Sequence, residues 1–201
     1  MPPPPVEATA SLAQRLRTAT RVAHLEAERA LDLDARLVDR HAYAALLATL
    51  HPFHAGVEAR LGRVAGWAEL DPAVDLAARK RASLLVRDLD ALGPRTPSAR
   101  GGRLPEPESL SAALGCLYVL EGSLLGGGVI ARRARDRLGD VPVAFFSGSG
   151  RRVGADWHSF QRTLDSFGRS HGEAACATAV AAAHDTFAAF TVCLAREAQA
   201  A

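Results

Sequence analysis

Apolar residues recur along this chain at three- and four-residue intervals and almost nowhere in strict alternation. Leu12, Leu16, Ala19 and Ala23 fall on one helical face, behind an S-x-x-Q segment at Ser11 that has the form of a capping box. A second helical run, Tyr43, Leu46, Leu47, Leu50, Phe53, Val57, Leu61 and Val64, takes Asp39 as its N-cap, and Pro52 is expected to bend it. Asp71-Pro72 predicts the start of a third helix through Leu76, Leu84, Leu85, Val86 and Leu89 to a stop at Gly93. Residues 93–107, with three Gly and four Pro, read as an irregular connector, and residues 139–155 as another, whose VAFF is too short for a strand. Asp156 is expected to cap a helix through Trp157, Phe160 and Leu164, and Gly172 to about Ala198 predicts a last, Ala-rich helix with Val180, Phe187, Phe190 and Leu194. With no βαβ alternation and no repeat, the pattern predicts an all-α fold.

One stretch breaks its own rules. Residues 111–133, SAALGCLYVLEGSLLGGGVIARR, have the apolar content of a long helix yet carry five glycines. At about 100° per residue, Ser111, Gly115, Tyr118, Gly122, Leu125 and Gly126 share roughly 100° of arc, so that face is nearly bare backbone. Each helical glycine costs about 1 kcal/mol relative to alanine, and something must offset the loss. A closely packed neighbouring helix and a flat ligand lying on the backbone are equal contenders. The triplet Gly126-Gly127-Gly128 also predicts a kink.

Composition narrows the function. The 201 residues, 48% of them apolar, suffice for one well-buried core, and residues 1–8 form a proline-rich leader expected to be disordered ahead of a single domain over 9–201. A net charge of only +2, spread along the chain, gives no nucleic-acid footprint. MPPPPVEATA lacks the features of a secretory signal, and the run Leu110 to Leu120 is too short to span a bilayer before Glu121, so a cytoplasmic protein with no membrane partner is expected. The three cysteines, Cys116, Cys176 and Cys193, form no C-x-x-C motif and suggest neither disulfides nor zinc.

The remaining chemistry lies on the first helix, where Arg17, Thr20, His24 and Glu28 share a stripe. The i, i+4 spacing lets Glu28 reach the His24 ring, and Arg17 sits two turns back, about 10 Å along the axis. Such a histidine is either one solvated charge among several or a metal-binding imidazole oriented by a carboxylate. His51 and His54, three apart beside Pro52, read as structural. Arg132, Arg133, Arg135 and Arg137 favour a helix C-terminus by charge alone. A haem between the two unusual faces would use both: an axial nitrogen, a cation for its propionates, and a wall of bare backbone.

These residues resemble a known family. LRTATRVAH from Leu16 to His24, followed by Glu28, is similar to the proximal helix of haem oxygenases, and CLYVLEGSLLGGGVI to the distal helix of their bacterial, phytochrome-associated branch. The resemblance covers most of residues 11–198 and implies a helical bundle with haem b, at once substrate and cofactor, between a proximal and a kinked distal helix. Carried over position by position, it makes His24 the iron ligand, Glu28 its hydrogen-bonding neighbour, Arg17 and Arg162 propionate contacts, and Thr20, Tyr118 and Gly127 further haem contacts. Gly122, Ser123 and Gly126 become the distal catalytic wall. Many family members have aspartate where this chain has Ser123, which bears on how protons reach bound dioxygen. The implied reaction opens haem to biliverdin, carbon monoxide and ferrous iron with dioxygen and electrons from a ferredoxin, or a flavodoxin/NADPH reductase. A bacteriophytochrome is the implied recipient of the bilin, and a haem carrier or sensor without turnover is the competing function.

Overall fold

The computed structural model describes residues 10–93, 103–148 and 150–198, and those residues form helices and connections with no strand. In chain order the helices are α1 (Leu12–Ala19), α2 (Arg21–Leu31), α3 (Leu33–Arg36), α4 (Arg40–Leu61), α5 (Leu76–Arg79), α6 (Ala82–Leu92), α7 (Leu110–Leu138), α8 (Ala144–Ser147) and α9 (Val153–Ala198), with a 3-10 turn at Trp67–Glu69. The leader at 1–8 and positions 94–102 of the first connector lie outside the described residues.

Local caps define several of these ends. Ser11 Oγ accepts from the Gln14 amide while Gln14 Oε1 accepts from the Ser11 amide, the reciprocal pair of a capping box. Asp39 caps α4 through the Ala42 amide at 2.8 Å. Pro52 lies inside α4, which continues past it to Leu61.

Four expectations need correction. The first helix is two: the chain turns at Thr20 (φ −87, ψ 3), whose hydroxyl donates to the Leu16 carbonyl, so Arg17 and His24 stand on α1 and α2 respectively. Asp71-Pro72 starts no helix. Asp75 caps the short α5, and the amides of Arg81 and Ala82 at the start of α6 donate to the carboxylate of Glu58, a residue of α4. Ala144, Phe145 and Phe146 of VAFF belong to α8, whose first amides, of Ala144 and Phe145, donate to the buried carboxylate of Asp88 on α6. Finally, α9 begins at Val153, which puts Asp156 in its first turn, paired with Arg151 at 3.2 Å. Gly172, at φ 76 and ψ −169, separates the two helical lengths of α9 as the sequence indicated.

The core has two contiguous parts. Leu16, Phe53, Val57, Leu114, Leu117, Phe160 and Leu164 gather between α1, α4, α7 and α9, and Tyr43, Leu46, Leu47, Leu85, Phe145 and Phe146 between α4, α6 and α8. Burying each large side chain contributes about 1.5–3 kcal/mol. Both α7 and α9 are long and apolar enough to cross a membrane by length and composition, but the apolar positions of α7 such as Leu114, Leu117 and Leu120 are spent in this core. Arg133 and Arg137 of α7 both reach Asp34 of α3, so half of the basic segment ties helices together.

The fate of the glycines depends on their place along α7, which stays one helix with none of its glycines at positive φ. A Cβ at Gly115 would stand 2.0 Å from the Ala179 carbonyl oxygen of α9, so helix packing explains that glycine. Gly127 has the same role against α8, with a Cβ 2.2 Å from the Phe146 carbonyl oxygen. At Gly126 and Gly128 a Cβ would meet nothing within 4 Å.

Candidate functional site

The site is built where α2 and α7 part company. Each packs along α9, yet the two barely touch one another. Tyr118 of α7 lies beside Thr20 at the start of α2. Both residues are buried, and desolvation raises the Tyr118 pKa while the neighbouring Thr20 hydroxyl and the charge of Arg17 lower it in part. One helical turn further along each helix, about 6 Å, stand His24 and Gly122.

His24 is half-exposed, with Nδ1 3.7 Å from Glu28 Oε2 and its ring edge-on to the buried Phe187 of α9 at 5.9 Å between centroids. Arg17 is exposed on the end of α1. On α7, Tyr118 packs on Trp157 of α9 (5.4 Å), and the Trp157 ring edge lies 3.8 Å from where a Gly122 Cβ would be. Beyond Gly122 the same face of α7 leaves the cover of α9 and opens. Gly126 has no neighbour, and Leu125 and Val129 are 47% and 51% exposed. The exposed glycines leave bare backbone where alanine would make α7 more stable.

Of the sequence-predicted residues, Arg17, Thr20 and Tyr118 lie together, His24 and Glu28 follow one and two turns on along α2, and Gly122 and Gly126 one and two turns on along α7. Three others lie elsewhere. Gly127 turns its bare side to α8, about 140° around α7 from Gly122. Ser123 lies about 100° from Gly122; its Oγ accepts from Arg81 Nη2 at 2.9 Å and donates to the Leu120 carbonyl at 2.7 Å. Arg162 is exposed on α9, and no contact among the described residues joins it to the His24 group.

Sequence reasoning missed Trp157 and Phe187, because only the packing of α9 on both helices brings them against Tyr118 and His24. It also missed a buried charged cluster behind α7. Arg81 is 3% exposed and 4.8 Å above the Phe145 ring, and desolvation lowers its pKa to about 10. Glu121, 4% exposed, is held by Arg79 and Arg151. Burial likewise raises the Glu58 pKa. His54 is fully buried between Phe53 and Phe145 with Nδ1 unpartnered, and burial holds its pKa well below 6.5. Its place in the core agrees with the structural reading of that residue.

Comparison with known proteins gives a consistent result. The profile of the family described as Heme oxygenase matches residues 10–196. A heme oxygenase of Xanthomonas campestris pv. campestris (strain 8004) is 37% identical over 164 residues, covering 81% of this chain and 94% of the relative. Among solved structures, the NO- and CO-bound heme oxygenase of Neisseria meningitidis superposes with a TM-score of 0.77 at 25% identity, covering 94% of this chain and 92% of that one. The heme-bound heme oxygenase-1 of Synechocystis sp. PCC6803, at 17% identity and a TM-score of 0.68, covers 95% of this chain and 96% of its own, and shares the fold. The chain belongs to the haem oxygenase family and is an enzyme of that kind, with the helical fold and the haem binding that the family implies.

Proposed function

We propose that the opening between α2 and α7 binds haem b and that the protein cleaves it to biliverdin, carbon monoxide and ferrous iron. The observation that carries this reading is a half-exposed imidazole, His24, one turn beyond Thr20 on α2, together with a glycine on α7, Gly126, whose bare side meets no atom, two turns beyond Tyr118. Bound there, haem supplies the iron that activates dioxygen and the ring that is opened. His24 Nε2 is the ligand, because Glu28 beside Nδ1 favours the proton on that nitrogen and leaves the other free. Arg17 offers its charge to a propionate, and Phe187, Leu125 and Val129 offer apolar surface to the ring. The bare backbone at Gly122 and Gly126 lets the ring lie close and leaves little room for disordered water. Ser123 retains a lone pair after its two bonds, enough to hold an ordered water but not to act as an acid, so protons reach the site through water. Electrons come from a ferredoxin or a flavodoxin/NADPH reductase, the site of action is the cytoplasm, and a bacteriophytochrome is the acceptor for the bilin.

One observation favours a carrier or sensor instead: Ser123 is engaged by Arg81 rather than free over the glycine face. Haem titration followed by the Soret band tests the shared part of both readings. One haem per chain is expected to bind wild type, and Gly126→Leu is expected to weaken binding at least tenfold with unchanged far-UV circular dichroism. Equal affinity in the variant would move the haem off this face.

A further inference from the structure

The turn of α7 that carries Gly122 is gripped on both flanks. At about 100° per residue, Glu121 and Ser123 point to opposite sides of Gly122 and leave its own direction free. On one flank, the Glu121 carboxylate accepts two bonds from Arg151 ahead of α9, Nη1 to Oε1 at 3.0 Å and Nη2 to Oε2 at 2.7 Å, and a third from Arg79 at the end of α5. On the other, Arg81 Nη2 donates both to Ser123 Oγ at 2.9 Å and to the Leu120 carbonyl at 2.7 Å, while its guanidinium lies on the Phe145 ring of α8. Three arginines from two segments, residues 79–81 and the stretch just ahead of α9, therefore converge on Leu120, Glu121 and Ser123 within one helical turn.

Stability alone is a poor reason for such an arrangement, because buried ion pairs cost about as much in desolvation as they return. Geometry is a better one. Rotating α7 in either direction pulls one flank off its partners, and a rotation of about 25° moves the backbone at Gly122 by about 1 Å at the helix radius of ~2.3 Å. A displacement of that size matters to a positioned reaction. We infer that the clamp sets the rotation of α7, and that Arg81 is a positioning residue which, through Ser123 and Leu120, decides which edge of the bound ring the Gly122 backbone directs the reaction to.

The inference rests on the haem-cleaving reading above, and the experiment separates the two. Arg81→Met keeps the side-chain length and the backbone bond to Glu58 but removes both donors to α7, and Arg81→Lys keeps the charge with a single reach. In haem-free protein, hydrogen exchange of the amides over residues 120–128 is expected to speed about tenfold in Arg81→Met and less in Arg81→Lys, with α4 unchanged. In haem-loaded protein, the C–O stretch of the ferrous carbon monoxide complex is expected to shift or split. The distribution of biliverdin isomers is expected to change in Arg81→Met and to return toward wild type in Arg81→Lys. Exchange at the wild-type rate in Arg81→Met overturns the clamp; faster exchange with an unchanged C–O stretch and isomer distribution overturns the positioning role. Should Arg81→Met fail to fold, Arg81→Lys carries the same comparison. A wild-type chain that binds haem without cleaving it would refute the oxygenase reading while the C–O stretch still judged the clamp.

Discussion

Two histidines show how differently one side chain is used in this chain. His24 is half-exposed beside Glu28 and Phe187, and His54 is enclosed by Phe53 and Phe145. If His24 is the iron ligand, His24→Ala is expected to shift the Soret maximum and abolish turnover, while His51→Ala leaves both as in wild type. An unaltered spectrum in His24→Ala would remove that residue from the site. The pH dependence belongs to His54. Its folded-state pKa lies well below the 6.5 of a free imidazole, so the unfolded chain takes up a proton as pH falls through 6.5 and the folded chain does not. Stability from this group is therefore complete above 6.5 and is lost as pH falls, at about 1.4 kcal/mol per pH unit until the folded-state pKa is reached. Denaturant unfolding of the haem-free protein from about pH 7.5 to about pH 5.5 should show that slope reduced by this amount in His54→Gln, whatever the variant's absolute stability. Parallel profiles would mean that His54 titrates as a solvated group.

At the scale of the helix, α7 divides its glycines between two tasks, and substitution separates them. Gly115→Ala drives a Cβ into the Ala179 carbonyl of α9 and is expected to cost about 1–3 kcal/mol, a loss of several degrees in Tm. Gly126→Ala meets no atom and is expected to stabilise the haem-free protein by up to about 1 kcal/mol. Thermal unfolding of the pair checks both; equal effects would deny that the two ends of the face differ. The sequence placed all these glycines on the helix but could not sort them, since the sorting depends on where α9 crosses α7. The same contrast runs through the helix ends. Those capped by a residue next door, at Ser11 and Asp39, were legible from the pattern. The starts of α6 and α8, capped by Glu58 and Asp88 from 23 or more residues away, were not. The Arg81 and Glu121 contacts, spanning 30 to 42 positions, left no local trace at all.

For the whole molecule, the all-α class followed from periodicity, and the His24 stripe and the glycine run are the two sides of the site proposed above. Both pack on α9, whose Phe187 lies against His24 and whose Trp157 lies against Tyr118. The central claim is that this opening turns haem over rather than merely holding it. Ferric-haem protein supplied with ferredoxin, its reductase and NADPH, with catalase present to remove free peroxide, tests this most directly. Progressive loss of the Soret band, release of carbon monoxide and accumulation of biliverdin are expected. A Soret band that persists through repeated reduction and exposure to oxygen, with no biliverdin from any of several electron donors, would contradict the claim.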